Sequence, residues 1–175
     1  RRSDGLIRFV NDFRSLTHTP EPKFQMTSVM ELFDQISVLL KHEIESNSIK
    51  FIVNVKPQNL ALSIDPELIQ QVLINLIKNA VEATQNTKDP EIVLSCSPEG
   101  DKHIHLSVSD NGEGISKDKL EQVFIPFFTT RADGSGIGLS LCRQIIRSHQ
   151  GKMQIESEPG KGTRVLIILM RDQNP

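Results

Sequence analysis

Asn75, Asn79 and Glu82 are spaced so that a helix carrying them shows all three on one ridge, because residues three and four apart are neighbours on a helix surface. A carboxamide oxygen ligates a hard cation without adding negative charge, which suits a Mg²⁺ held mainly by phosphate oxygens and water. The same spacing also describes an ordinary solvated face. Further on, Asp110-Asn111-Gly112-Glu113-Gly114 stands where an apolar strand stops. Its carboxylate can accept the exocyclic N6 amine of adenine, whereas the O6 acceptor of guanine would be repelled. Gly112 and Gly114 supply backbone without a Cβ, able to approach a flat base closely, although Asp-Asn-Gly is also a common turn. A third group, Gly134-Ser135-Gly136-Ile137-Gly138-Leu139, leads into a helix. Glycines there gather free N–H groups and the positive end of the helix dipole at one point, where phosphate oxygens can sit. The spacing is neither the dinucleotide fingerprint nor a Walker A loop, since no Gly-Lys-Ser or Gly-Lys-Thr closes it and no strand directly precedes it.

Between the two glycine turns, Phe124, Pro126, Phe127 and Phe128 precede Thr129-Thr130-Arg131. An apolar anchor followed by hydroxyls and a cation has the makeup of a mobile lid, with Arg131 placed to reach a phosphate in the closed state. The phenylalanines would equally serve to pin a loop to the core.

The elements that must position these groups follow from periodicity. Leu6, Val10, Phe13 and Leu16 recur at helical spacing and end at a Pro-containing linker, Thr17 to Pro22. That stripe is expected to meet a partner helix from an upstream portion, or else to pack on this same domain. Phe24 to Val29 reads as a short strand, and Val29, Leu32, Phe33, Ile36, Leu39 and Leu40 form the apolar face of a helix running to about Glu45. Ile49 to Val55 and Leu60 to Ile64 read as a strand pair turned at Pro57-Gln58-Asn59. Asp65-Pro66-Glu67 starts the helix that carries the two asparagines and ends near Thr84, with a carboxylate at the N-cap and proline at the first helical position. Glu91 to Ser97 and His103 to Ser109 form a hairpin. A helix from about Gly138 to His149 follows, then closing strands Lys152 to Glu158 and Arg164 to Met170. Strands come in adjacent pairs instead of alternating strictly with helices, so the expected fold is an α/β two-layer sandwich: a mixed sheet with helices on one face.

Bulk properties exclude several classes. The 175 residues, 37% apolar, suffice for one core. Twenty basic and 22 acidic side chains are mixed along the chain, so no field favours nucleic acid. Cys96 and Cys142 lack metal-ligand spacing and read as buried thiols in a reducing compartment. No apolar run approaches the ~20 residues needed to cross a bilayer, so the segment is not expected to be membrane-inserted.

In order, Asn75-Leu76-Ile77-Lys78-Asn79-Ala80, Asp110 to Gly114, Phe124-Ile125-Pro126-Phe127-Phe128, Gly136-Ile137-Gly138-Leu139 and Gly162-Thr163 resemble the N, G1, F, G2 and terminal Gly-Thr boxes of histidine protein kinases. The resemblance covers about residues 24 to 170. It implies residues 20–175 as a catalytic domain with the ATP-binding (Bergerat-type) sandwich shared with gyrase, Hsp90 and MutL, its sheet mainly antiparallel. It implies residues 1–19 as the end of a dimerisation and phosphotransfer helix with its linker. ATP and Mg²⁺ are the implied ligands. Asn79 resembles the metal ligand, with Glu82 and Ala83 beside the nucleotide. Asp110 resembles the adenine acceptor, in a pocket with Gly112, Gly114 and Ile115. Phe128, Thr129, Thr130 and Arg131 correspond to the lid. Gly134, Ser135, Gly136, Ile137, Gly138 and Leu139 correspond to the phosphate-facing turn, and Thr163 would support Asp110 through its hydroxyl. ATP-hydrolysing members of the superfamily place a glutamate, as general base, where this chain has Asn75, and a carboxamide cannot take that proton. Transfer to a protein is therefore expected over hydrolysis, with Asn75 and Arg131 at the reacting phosphate. The implied partners are the kinase's own phosphoacceptor hairpin and a response-regulator receiver domain. The implied parent is a homodimer with a cytoplasmic catalytic part, compatible with anchorage in the inner membrane. His42-Glu43 imitates a phosphoacceptor motif, but Asn47 stands at its proline position, so His42 is read as a surface residue. A serine or threonine kinase on the same scaffold and a nucleotide-regulated pseudokinase are the alternatives.

Overall fold

The computed structural model describes residues 21–129 and 136–171. The stripe from Leu6 to Leu16, and with it the expected boundary at residue 19, lies outside them. Among the described residues, β1 (Gln25–Ser28) runs straight into helix α1 (Val29–Ser46), where Ser28 Oγ accepts the Glu31 N–H at 3.3 Å as N-cap. Strands β2 (Lys50–Val55) and β3 (Ala61–Ile64) precede helix α2 (Pro66–Ala83). Helix α2 begins as its sequence dictates. Asp65 Oδ1 accepts the N–H groups of Glu67 and Leu68 at 3.1 Å each, and Pro66 occupies a position where a missing N–H costs nothing. Strands β4 (Glu91–Glu99) and β5 (His103–Asp110) form the expected hairpin. A one-turn helix α3 (Lys117–Leu120), which periodicity did not reveal, interrupts the polar stretch that follows. Helix α4 (Gly138–Ser148) and strands β6 (Lys152–Glu158) and β7 (Gly162–Met170) complete the chain.

The main sheet has the order β2-β4-β5-β7-β6, parallel only between β2 and β4; β1 and β3 make a separate two-stranded sheet. This corrects the expectation that β2 and β3 pair with each other. Alternation marks a half-buried strand but not its neighbour. Here Lys50 lies opposite Glu91 and Val55 opposite Cys96, while Ile64 lies opposite Gln25. The intervening segment carries the chain from one sheet to the other, with Leu60 bonded through N–H to Pro57 O and through C=O to the Val29 N–H.

One column of each central strand points inward. Ile92, Leu94 and Cys96 stand beside Ile104, Leu106 and Val108, and these beside Val165, Ile167 and Leu169. Against them pack Phe33 and Ile36 of α1, Ile69, Leu73 and Ile77 of α2, and Ile145 and Ile146 of α4. Each fully buried side chain of this kind contributes about 1.5–3 kcal/mol, so the two-layer sandwich follows from the amphipathic pattern. Leu39 is a local exception: it lies at the margin of the buried arc of α1 and is 59% exposed, while Ile44 extends the buried face.

One buried polar residue links the ends of the two site helices. His149, the C-cap residue of α4, is fully buried. Its Nδ1 lies 2.8 Å from Ile145 O, which can only accept, so Nδ1 carries the proton; Nε2 then accepts the Asp65 N–H at 3.1 Å. Desolvation lowers the pKa of the ring, in keeping with this neutral form. The Lys23 N–H donates to Asp65 Oδ2 at 2.8 Å and the Phe24 ring meets His149 edge-on at 5.3 Å, so the incoming chain joins the same node.

Candidate active site

Helix α2 is the wall on which both glycine turns are mounted. At its C-terminal end Ala83 O accepts the Glu113 N–H at 3.0 Å, and a Cβ on Gly112 would stand 2.5 Å from that oxygen. Only glycine lets the turn close on the helix so tightly. Gly112 N–H donates to Asp110 Oδ1 at 2.8 Å, and the Thr163 N–H reaches the same oxygen at 3.3 Å. Asp110 is the last inward-facing residue of β5, opposite Thr163 of β7, which brings its carboxylate out of the core beside the end of α2. The turn is clamped from the far side as well. The Gly160 N–H donates to Glu113 O at 2.8 Å, and a Cβ at Gly114 (φ +70°) would collide with Glu158 O. At Gly162 (φ +92°) a Cβ would collide with Asp110 O.

Thr163 supports Asp110 through its backbone N–H, which corrects the expectation that its hydroxyl does so. Thr163 and Ser157 are cross-strand partners, so the hydroxyl meets Ser157 Oγ at 2.8 Å instead. Ser157 Oγ also accepts the Ile115 N–H at 2.8 Å and lies 2.9 Å from Gly162 O. Ser157 thus fastens the first glycine turn to the last hairpin, a role that one serine within a strand does not announce.

The second turn leads into α4 and meets α2 where Gly138 rests against Asn75. Gly136 has φ +68°, and a Cβ there would stand 2.5 Å from the carbonyl carbon of Phe127, whose N–H donates to Gly136 O at 2.9 Å. Phe127 itself has φ +67°, a backbone region that aromatic residues rarely adopt. The Arg143 guanidinium lies 4.6 Å from the centroid of the Phe124 ring and donates to Phe124 O at 3.3 Å, so the phenylalanine segment is fixed to α4 as well as to the turn. Phe124 and Phe128 are half-buried, whereas Ile125 and Phe127 are exposed. Ile137 is buried as the N-cap of α4, and its side chain provides no capping oxygen. The first turn of α4 thus has no side-chain cap at its N-terminus, the positive end of the helix dipole.

Asn75, expected at the reacting phosphate, is turned into the seam between α2 and α4. Its Nδ2 donates to Cys142 Sγ at 3.1 Å, and its Oδ1 would stand 2.6 Å from a Cβ at Gly138. Asn79 lies four residues beyond Asn75 and four before Ala83. At 1.5 Å per residue the contacts with the two glycine turns are therefore about 12 Å apart along α2, with Asn79 midway. Glu82 is exposed one turn beyond Asn79, Ala83 and Ile115 are half-buried, Thr129 is exposed and Leu139 packs against the core. The expected lid residues Thr130 and Arg131, with Gly134 and Ser135, lie outside the described residues. Among the described residues no group of three or more His, Cys, Asp or Glu side chains is arranged to hold a metal. A Mg²⁺ here would take one oxygen from Asn79 and the rest from phosphate and water, a donor set that suits this ion.

The family model for histidine kinase-, DNA gyrase B- and HSP90-like ATPases matches residues 64–173, which takes in α2, both glycine turns and Thr163. The chain belongs to this ATPase family. Among its relatives, the sensor histidine kinase ZraS of Klebsiella oxytoca is 32% identical over 97% of this chain. The chain spans 36% of the length of that kinase. Of solved structures, the nucleotide-free catalytic domain of histidine kinase ThkA superposes with a TM-score of 0.77 at 32% identity, covering 85% of this chain and 96% of that domain. ThkA in complex with the response regulator TrrA gives a TM-score of 0.82 at 28% identity, covering 98% of this chain and 48% of that one. The ATPase-family match begins at Ile64, so β1, α1, β2 and most of β3 precede the matched segment.

Proposed function

We propose that the chain binds Mg-ATP and delivers the γ-phosphate to a histidine on a dimerisation hairpin, for relay to a response regulator. The observation that carries this reading is the mounting of both glycine turns on α2. The Asp110 carboxylate is held at one end, the N-terminus of α4 at the other, and Asn79 lies between them on the same helix. Adenine would be recognised at the Asp110 end and the phosphates at the α4 end. Bound Mg²⁺ would neutralise phosphate charge, with Asn79 supplying the protein ligand and Glu82 nearby on the same ridge. Arg131 is the cation proposed to approach the transferred group from the lid. A carboxamide at Asn75 leaves water without a carboxylate base at that position, which favours transfer over hydrolysis.

A groove of about 450 Å³ follows the seam between α2 and α4 and shares Asn75 and Gly138 with the phosphate end. Ile74, Leu141 and Ile145 line it together with Gln70 and Lys78. It leaves out Asp110 and the first turn, so it is read as the approach of a protein acceptor and not as the adenine pocket. The likeness to sensor kinases and to a kinase solved with its response regulator supports the same partners for this chain.

The test is incubation with γ-labelled ATP. The chain alone is expected to remain unlabelled, because His42, a surface residue of α1, has Asn47 where a phosphoacceptor motif needs proline. Adding a phosphoacceptor hairpin in trans is expected to yield an acid-labile phosphate on the hairpin. Label on His42, or a phosphate that survives acid, would contradict the reading; the second result would favour a serine or threonine kinase.

A further inference from the structure

We infer that Asn75 and Cys142 are positioning residues, a paired carboxamide and thiol that hold the N-terminus of α4 at the distance from Asn79 that bound phosphates require. The inference rests on the Mg-ATP reading above and assigns Asn75 a role in placing the phosphate turn instead of one on the reacting group.

Three contacts carry it. Asn75 Nδ2 donates to Cys142 Sγ at 3.1 Å, and Cys142 Sγ in turn lies 3.8 Å from Val72 O, toward which its S–H points. The thiol thus accepts from one turn of α2 and donates to the turn before it. The third contact is steric. Both the oxygen and the nitrogen of the Asn75 carboxamide would lie within 2.8 Å of a Cβ at Gly138, so the amide rests against the backbone of the first residue of α4. Cys142 is one helical turn beyond Gly138, so the two contacts fix both the height and the rotation of the first turn of α4 relative to α2. Asn79, the proposed metal ligand, is one turn beyond Asn75 on α2. Any shift of the amide therefore changes the gap between Asn79 and the N–H groups of α4, where phosphates would bind. The thiol is suited to this place. It is 2% exposed, and burial raises its pKa to about 12, which keeps the proton that the bond to Val72 needs. Neither residue needs to touch the nucleotide for this effect.

Binding of ATP, ADP and AMP to the chain, measured by calorimetry, separates positioning from direct action and from general loosening. Cys142→Ala removes the acceptor for Asn75, and Asn75→Ala removes the donor. Each is expected to weaken ATP and ADP by about 3- to 10-fold, the range of one lost hydrogen bond, while AMP, lacking the β- and γ-phosphates, changes by less than about 2-fold. The double variant should lose clearly less than the product of the two single losses, because both changes break the Asn75–Cys142 bond. Cys142→Ser, which keeps a donor and an acceptor, should restore most of the affinity. Equal loss for all three nucleotides, or independent effects that multiply in the double variant, would overturn the inference. So would a Cys142→Ala chain that binds ATP like wild type. Wild-type chain that binds no nucleotide would sink the Mg-ATP reading itself, a result distinguishable from all of these.

Discussion

Asp110→Asn offers a quantitative test of adenine recognition. In the structure one carboxylate oxygen accepts two backbone N–H groups, from Gly112 at 2.8 Å and Thr163 at 3.3 Å. An asparagine at this position can keep its single oxygen in that place, so the turn should survive. Its NH₂ would then replace the second carboxylate oxygen and face the N6 amine of adenine, donor against donor. A hydrogen bond to a charged acceptor contributes about 1.5–3 kcal/mol, and 1.4 kcal/mol corresponds to a factor of ten. The expected loss in ATP affinity is therefore about 10- to 150-fold, with little change in thermal stability. The same substitution should improve GTP relative to ATP, because the new donor meets the O6 acceptor of guanine. Calorimetric titration of both nucleotides into wild type and variant measures all four affinities. A variant within threefold of wild type for ATP, or wild type that prefers GTP, would refute the assignment of Asp110.

Three further predictions follow from the same contacts. Asn79→Ala should lower phosphotransfer to a hairpin supplied in trans by about a hundredfold or more, the scale of losing a charge-stabilising group; a variant that still transfers normally would remove Asn79 from the metal site. Gly162→Ala combines a φ of +92° with a collision at Asp110 O, so it should cost at least ~2 kcal/mol, or a Tm drop of about 4–8 °C, and weaken ATP through Asp110; an unchanged melting curve would contradict the clamp. His149 gives a pH dependence. Its folded pKa lies below the ordinary 6.5, so the unfolded chain takes up the proton first on acidification. The contribution of the neutral ring is therefore whole above about pH 6.5 and declines as pH falls below it. Urea midpoints should drop between pH 7.5 and 5.5 in wild type and drop less in His149→Gln; equal slopes would show that the ring does not titrate against the fold.

Much of the fold could be read from the residues because local signals and tertiary packing agree. Asp65-Pro66 starts α2 where a cap and a proline must, and the inward columns of β4 and β5 are the alternating apolar residues of the hairpin. The pairing of β2 with β4 was not legible, since their register depends on residues about 40 positions apart and alternation names no partner. Within the site, the residue types at Asp110 and Gly112 indicated a turn of carboxylate and glycine, and the structure closes that turn on the helix that carries Asn79. The directions of Asn75 and Thr163 were hidden. A ridge on a helical wheel does not say that a side chain will lean into a seam beside Cys142, and a hydroxyl on a strand turns to whatever its cross-strand neighbour offers, here Ser157. Ser157 and Cys142 act through a shared hydroxyl and a thiol, and neither leaves a mark in spacing.

The most direct test of a single nucleotide cavity along α2 is a titration of the ¹⁵N-labelled chain with Mg²⁺ and a non-hydrolysable ATP analogue, followed by amide and carboxamide chemical shifts. The signals of the Asn79 side chain, Gly112, Gly114, Gly136, Gly138 and Leu139 should all move and fit one dissociation constant. Movement confined to one glycine turn, or separate constants for the two ends of α2, would show that they do not serve one ligand.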